Sequence, residues 1–591
     1  MIRYLDGSRL YNAVLAGGNA VIKDKNYLNK INVFPVPDAD TGTNLASTMR
    51  SIASHARAHR SLKSTLHSIA DAALSGARGN SGLIFAQYVY GVSQELKSDL
   101  RASTITFGES VKNAVKHAYR SILSPVEGTM LTVIRDWAEA VYQRREKTND
   151  FVELLSYSLQ VARKSLRETP LKLKVLAKAG VVDAGAKGFV DFLEGVLHFM
   201  TQGRLNKVAF PQIEWSEEEP HIHTSRKDIK ERYCSEALIV GKNIDMDHVR
   251  ETIKPLGNSA IVAGFPEKIR IHIHTNQPEE VFSKLKDYGS FLQVKVDDML
   301  KQYEAAYKRK SKMAVVVDSA CDLPKKVLDD NQIHVIPVNL SFGDSIFLDK
   351  ATITPHQFYT MLKTHKEHPT SSIPSVKSVQ NMFSFLSSHY ESVMAVILSE
   401  KLSGMFQLCS QAASDVTDKK IDVINSRNIS VAQGLLVLRV LDALEKGKSH
   451  DDIFPLVKEW RGKTKLLVDI KTLKYMVRSG RVSRLKGIIA RILNLKPIIT
   501  LDEEGKVVAY GKSFNRHQNM KKIIQTVKEI SEKNKIWKYA IVHAENIDRA
   551  QTYAEKLEAI LGQKPAYIMD VSPAVGVHNG IGVVGLALMM E

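Results

Sequence analysis

Pro35-Val36-Pro37-Asp38-Ala39-Asp40-Thr41-Gly42-Thr43-Asn44-Leu45 is the stretch on which the reading of this chain turns. Two prolines stiffen a loop in which the carboxylates Asp38 and Asp40 stand two residues apart. Thr-Gly-Thr-Asn follows, and then a segment from Leu45 to Ala58 with apolar residues at Leu45, Met49 and Ile52, the spacing of one helical face. Loop carboxylates are hard oxygen ligands of the kind Mg²⁺ takes, and Mg²⁺ usually completes its shell with substrate phosphates. A helix start behind them offers N–H groups and the positive end of a dipole to the same phosphates. The bare spacing equally describes an Asx-rich turn that caps a helix.

Three further turns share the first 200 residues. Gly76-Ala77-Arg78-Gly79-Asn80-Ser81-Gly82 precedes an apolar helix from Leu83, and such a loop lets backbone amides approach a phosphate closely. Pro125-Val126-Glu127-Gly128-Thr129-Met130-Leu131 opens another helix, and Gly180-Val181-Val182-Asp183-Ala184-Gly185-Ala186-Lys187-Gly188 a third. Between them, Ser61–Leu74, Ile105–Leu123 and Phe151–Glu168 carry apolar residues at three-to-four spacing, so residues 1–202 read as all-helical. Any one turn is ordinary. Taken in order, and with Asn32 to Asn44, they resemble the L-type dihydroxyacetone-kinase family in the variant found in bacterial fatty acid kinases.

That resemblance implies an antiparallel helical barrel with ATP and Mg²⁺ in the loops at one end. It implies Asp38 and Asp40 as catalytic metal ligands with Asn32 as a third ligand. Thr43, Asn44, Gly79, Asn80, Ser81 and Gly82 would line the phosphates, and Thr129 and Asp183 would border the nucleotide. The family has Gly-Gly where this chain has Gly185-Ala186, which leaves open how closely the backbone there approaches a ligand.

At 591 residues the chain exceeds one hydrophobic core, so two to four domains are expected. Its 44% hydrophobic and 25% charged content is that of an ordinary globular protein. A formal charge of +18 suits an anionic partner: a nucleotide, an acidic protein, nucleic acid or an anionic membrane surface. The basic residues are scattered apart from Lys308-Arg309-Lys310 with Lys312, and no nucleic-acid signature accompanies them, so no nucleic acid is expected. The apolar run from Ile581 to Met590 is about half a membrane span, and the N-terminus lacks the apolar core of a secretory signal. Cys234, Cys321 and Cys409 are too far apart in sequence to read as a disulfide framework. A cytoplasmic protein is expected, with transient contact at the inner membrane surface.

Residues 203–230 read as a linker and 231–312 as a small α+β module. In the module, Ala237–Val240, Ser259–Val262 and Ile269–His274 read as strands, and Met246–Ile253 and Glu279–Leu285 as helices. Ile269-Arg270-Ile271-His272-Ile273-His274-Thr275-Asn276 alternates, which puts the isoleucines on one face and both histidines on the other. The pair reads either as solvated or, with Cys234 as a soft third ligand, as a zinc site. The module resembles the middle domain of fatty acid kinases, which carries Tyr-Cys and His-x-His-Thr-Asn at these places, and this implies Cys234, His272 and His274 as zinc ligands. His221 and His223 repeat the spacing in the linker.

From residue 313 short apolar strands alternate with helices, an α/β pattern. Val315-Val316-Val317-Asp318-Ser319-Ala320-Cys321-Asp322-Leu323-Pro324 resembles the opening of the DegV family, fatty-acid-binding partners of those kinases. Ser371-Ser372-Ile373-Pro374-Ser375, Leu398 to Gly404, Ser479-Gly480-Arg481-Val482-Ser483 and His578-Asn579-Gly580-Ile581-Gly582 stand where that family has its motifs. The resemblance implies two α/β lobes around an apolar tunnel. Ser371, Ser372, Ser403, Gly404, Arg481 and His578 would hold a fatty carboxylate, and Arg481 would also serve an acyl phosphate as a catalytic cation. Ile373, Met405 and Ile581 depart from the family pattern and leave acyl preference open.

The whole expectation is a multidomain protein: an all-α DhaL-like barrel, a small α+β middle domain and a two-lobed α/β DegV-like domain over 313–591. Its expected activity is that of an ATP- and Mg²⁺-dependent fatty acid kinase fused to its own carrier. Its acyl phosphate would pass to a membrane-associated acyltransferase, and a homodimer is compatible with the sequence. Two rival readings are a non-enzymatic lipid-binding regulator with a vestigial nucleotide domain, and a glycerone-type small-molecule kinase.

Overall fold

The computed structural model describes residues 1–34, 40–97, 99–203, 229–416, 419–480, 496–513 and 515–591. Asp38, His221, His223, Arg481 and most of the linker lie outside the described residues. Two compact units are present, Met1–Leu300 and Lys301–Glu591.

The first unit opens with α1 (Gly7–Lys23), α2 (Thr41–His55), α3 (Leu62–Gly76), α4 (Gly79–Glu95), α5 (Thr104–Ser121), α6 (Met130–Arg144), α7 (Phe151–Arg167) and α8 (Ala184–Gln202). The N-terminal half of α8 is buried all round, from Ala184 to Leu193, whereas α7 buries a single stripe. In α7 the buried apolar set Phe151, Leu154, Leu155, Leu159, Ala162 and Leu166 follows the helical period. Small residues let α1 and α8 approach closely: a Cβ at Gly17 would lie 2.6 Å from the Phe192 ring, and one at Gly195 would lie 2.5 Å from the Ala16 carbonyl oxygen. Phe85, Trp137 and Phe189 fill the core with edge-on contacts, Phe85–Phe192 at 4.9 Å and Trp137–Phe189 at 5.8 Å.

The same unit continues through β1 (Tyr233–Val240), α9 (Met246–Ile253), β2 (Asn258–Phe265), β3 (Lys268–Thr275), α10 (Pro278–Leu285) and β4 (Ser290–Asp298). The strands form an antiparallel sheet in the order β2-β3-β1-β4. β4 is not among the strands expected from the sequence, although Gln293-Val294-Lys295-Val296-Asp297 alternates polar and apolar residues as a half-buried strand does. One face of the sheet is sealed against the helices. Ile261 and Ala263 join the helical core, the Gly264 N–H donates to Gln87 Oε1 at 2.6 Å, and Lys268 Nζ reaches Asp71 at 2.8 Å.

In the second unit four parallel strands run in the order Lys420–Asn425, Ser392–Ile397, Met313–Asp318 and His334–Ile336. A six-stranded sheet in the other lobe is antiparallel except where Ile536–His543 pairs with Ile568–Asp570. A third sheet joins Ser345–Leu348, Asn339–Phe342 and Thr370–Ser372. The Asp318-to-Asp322 turn ties these parts together. Asp318 accepts from Leu398 N–H at 2.8 Å and Gln433 Nε2 at 2.9 Å, and Asp322 accepts from Lys350 Nζ at 2.8 Å and Ser572 N–H at 3.0 Å. No helix among the described residues is long and apolar enough to cross a membrane.

Candidate functional site

Four helix N-termini meet at one end of the helical bundle. Asp40 caps α2, its carbonyl accepting from Asn44 N–H at 2.8 Å. Asn29 pins the exposed Thr43 from below, accepting from its N–H and donating to its hydroxyl, both at 3.0 Å. A Cβ at Gly79 would lie 2.5 Å from Asn44 Nδ2, and Gly79 sits at φ +56°, so α4 starts where only glycine fits. A Cβ at Gly185 would lie 2.6 Å from Ser81 Oγ and 3.4 Å from Met130 Cβ, which puts the starts of α8, α4 and α6 together. The structure therefore brings Asp40, Asn44, Gly79, Ser81, Gly82 and Asp183 to one place. Thr129 caps α6 there, its hydroxyl donating to the Val126 carbonyl at 2.7 Å. Asn32 is buried, and Asn80 Oδ1 is buried without a hydrogen-bond partner among the described residues. The Ala186 methyl group belongs to the hydrophobic core, so the extra carbon is accommodated away from the loop.

First-turn N–H groups have no partner within their own helix; here side chains already take those of Thr43, Gly79, Met130 and Ala186, so a phosphate would meet the other first-turn donors of the converging starts. Behind these starts lies a group with little signal in the sequence. Lys187 Nζ donates to Asp24 Oδ2 at 2.7 Å and to Asp191 Oδ1 at 2.5 Å, fixing α8 to the end of α1. Spacing alone could have paired Lys187 with Asp191, but nothing local points to Asp24.

Asp183 accepts from Ala186 N–H at 2.8 Å and also from Met130 N–H, bridging two helix starts. Burial nonetheless raises its carboxyl to about 6. The folded state thus favours the neutral acid. That contribution is fully present below about pH 4, the unfolded value, and is lost as the pH rises through about 6. Asp183→Asn keeps the acceptor and removes the titration. Its unfolding free energy should therefore fall by about 3 kcal/mol less than the wild type's between about pH 4 and pH 7. Denaturant unfolding of both proteins at the two pH values checks this, and equal slopes would contradict it.

Against the same end lies the sheet face carrying Cys234, Glu236, His272 and His274. Pairing of β1 with β3 sets Cys234 opposite His274 and Glu236 opposite His272. Among the described residues, the ligand atoms of Cys234, His272 and His274 converge within 4.8 Å of one another. The histidines are 3% and 6% exposed, so the solvated pair that spacing allowed is excluded by the helices packed over that face. Burial and the neighbouring imidazole lower His274 to about 3, keeping it neutral as a metal ligand must be, while burial pushes the Cys234 thiol up. His272 Nε2 is buried without a hydrogen-bond partner among the described residues. The donor set and this orphaned nitrogen fit zinc. Asp40 acts electrostatically on both Cys234 and Lys295, so the cluster neighbours the carboxylate that starts α2. Lys295 and Glu236 had no local signal in the sequence.

In the second unit a cavity of about 380 Å³ is walled by Leu398, Leu466, Val468, Ile499, Val542 and Val575 among others. Ser371, Ser372, Ser403, Gly404 and His578 all line it. Ser371 Oγ and His578 Nε2 stand 3.1 Å apart, and Ser403 Oγ accepts from Met405 N–H at 3.3 Å, leaving its own proton to donate elsewhere. Thr500 donates to the Leu466 carbonyl at 2.6 Å, so this polar wall residue is internally satisfied. His368, which no sequence motif marks, meets the Tyr475 ring at a tilt, 5.9 Å between centroids, and hydrogen-bonds the Val577 backbone beside His578. The arrangement is an apolar chamber with hydroxyls and an imidazole on its lining.

Comparison with known proteins now finds three family models along the chain. They are the DAK2 domain over residues 35–198, the middle domain of fatty acid kinase-like proteins over 230–306, and "uncharacterised protein, DegV family" over 312–591. An uncharacterized protein of Staphylococcus saprophyticus is 34% identical over 322 residues, covering 52% of this chain and 58% of its own length. One of Staphylococcus haemolyticus is 31% identical, covering 52% and 58%. The chain thus spans little more than half the length of these curated relatives. Among solved structures, DegV from Bacillus subtilis, described as a fatty acid binding protein, is 26% identical at a TM-score of 0.45. It covers 47% of this chain and 99% of its own. A fatty acid binding DegV family protein of Streptococcus agalactiae is 24% identical at 0.45, covering 48% and 99%. This one chain carries, in succession, a DAK2 domain, a fatty acid kinase-like middle domain and a DegV-family domain.

Proposed function

We propose that this chain is an ATP- and Mg²⁺-dependent fatty acid kinase that holds its own lipid and transfers a phosphoryl group to the fatty carboxylate. The observation that carries the reading is the apolar cavity lined by Ser371, Ser403 and His578, in a chain that also bears a DAK2 domain and a fatty acid kinase-like middle domain. Asp38 and Asp40, with Asn32, would hold magnesium, which when bound neutralises phosphate charge. The first-turn N–H groups of α2 and α4 that no side chain takes orient the phosphates, and Thr129 and Asp183 border the nucleotide. Ser371, Ser372, Ser403 and His578 hold the carboxylate, and Arg481 offsets its charge and that of the arriving phosphoryl group. No general base is needed, because a carboxylate is already ionised at neutral pH. The protein's work is positioning and charge neutralisation. Cys234, His272 and His274 would hold a structural zinc ion.

The product is a mixed anhydride and a good acyl donor, so a membrane-associated acyltransferase is the proposed consumer. ATP turnover measured with a fatty acid, with dihydroxyacetone and with neither separates this reading from its rivals. Stimulation by fatty acid alone supports it. Stimulation by dihydroxyacetone favours a small-molecule kinase, and no turnover favours a lipid-binding regulator.

Ser403→Ala should weaken lipid retention by about 1.5–3 kcal/mol, the worth of a hydrogen bond to a charged acceptor. Lipid content by mass spectrometry reads this, and nucleotide binding should be unchanged, since its proposed loops lie in the other unit.

A further inference from the structure

Glu236 sits on β1 between the metal-ligand cluster and the start of α4, and its side chain is only 2% exposed. Its Oε1 accepts from the Gly79 N–H at 2.7 Å and stands 3.4 Å from His272 Nδ1. Its Oε2 faces Arg78 at 3.3 Å and Arg270 at 4.0 Å. One carboxylate thus touches a candidate zinc ligand and the first residue of a candidate phosphate helix, 157 residues away in sequence.

We propose that Glu236 is a positioning residue that couples metal occupancy at Cys234, His272 and His274 to nucleotide affinity at the start of α4. The inference rests on the zinc and nucleotide readings above. A cation on the cluster fixes the His272 ring, as an ion does for any imidazole it ligates, and a carboxylate against that imidazole is held in turn. The Glu236 carboxylate fixes the Gly79 N–H, and so sets the direction in which the next amides of α4 point. Gly79 can follow the carboxylate, because a glycine at a left-handed φ of +56° can change its backbone angles without a side chain to clash. Charge acts in the same sense: a divalent cation on one thiolate and two neutral imidazoles adds positive charge beside the phosphate loop, on top of that of Arg78, Arg270 and Lys295 around Glu236.

Glu236→Gln tests the device because the substitution preserves shape. An amide has one acceptor oxygen where the carboxylate has two. It can hold Gly79 or face the arginines but not both, and its NH₂ group would confront donors. The experiment uses the full chain, zinc-loaded or stripped with a chelator, and calorimetry with Mg²⁺ and the non-hydrolysable imido analogue of ATP, beside zinc content by mass spectrometry. For the wild type, stripping should weaken the analogue about tenfold, within the usual range of site-to-site coupling. Zinc-loaded Glu236→Gln should bind with an affinity that no longer responds to stripping. A variant that keeps the wild-type response overturns the proposal, as does a zinc-bearing wild type with no response. A wild type without zinc overturns the metal reading itself. Should Glu236→Gln fail to fold, Cys234→Ser decides: it should bind the analogue as weakly as the stripped wild type, and binding as tight as the loaded wild type would overturn the coupling.

Discussion

Asp40→Ala should lower phosphoryl transfer by at least about two orders of magnitude, the scale of losing one charge-stabilising group at a reacting centre. Asp40 is the described member of the proposed magnesium pair, and it starts α2 at the point where four helix N-termini converge. Its backbone carbonyl, which alanine keeps, takes the Asn44 N–H, so the helix start should survive the substitution. What is lost is one hard ligand and, with it, compensation of the phosphate charge. Asp38→Ala should behave alike. Steady-state acyl phosphate formation, read beside lipid content and a circular dichroism spectrum, checks the pair. Wild-type turnover in either variant would remove the metal site from this loop.

Cys234→Ser should take the protein from close to stoichiometric zinc to none. Serine has the size of cysteine but lacks the soft sulfur that makes an N₂S set attractive to zinc. The thiol is held protonated by burial, so zinc uptake should release a proton and tighten as the pH rises. Metal analysis after purification without added metal measures the first effect, and zinc titration at two pH values the second. Zinc retained by the variant would move the site elsewhere.

The sequence made legible those features that depend on local order. The period of Phe151 to Leu166 announced a helix, and the alternation from Ile269 to His274 announced a strand. Helix bounds shifted by a few residues, as at α2, which begins at Thr41 rather than Leu45 because Thr-Gly-Thr-Asn already forms its first turn. What could not be read is what distant segments do to one another. Glu236 meets Gly79, Lys187 meets Asp24 and Lys268 meets Asp71 across more than 150 residues in each case, and no spacing rule reaches that far. The histidine face looked equally suited to water or to metal until the packing of α3 and α4 over it was known. β4 is a different case: its alternation from Gln293 to Asp297 was there to be read, and only the ion pair of Lys295 with Asp297 beside Glu236 needed the fold.

The most direct test incubates the purified full chain with Mg²⁺, ATP and a long-chain fatty acid, and traps the product with hydroxylamine for mass spectrometry. A fatty hydroxamate that forms only when ATP and fatty acid are both present is the predicted result. Lipid bound in the cavity with no hydroxamate, and ATP left intact, would contradict the kinase account and leave a lipid-binding protein.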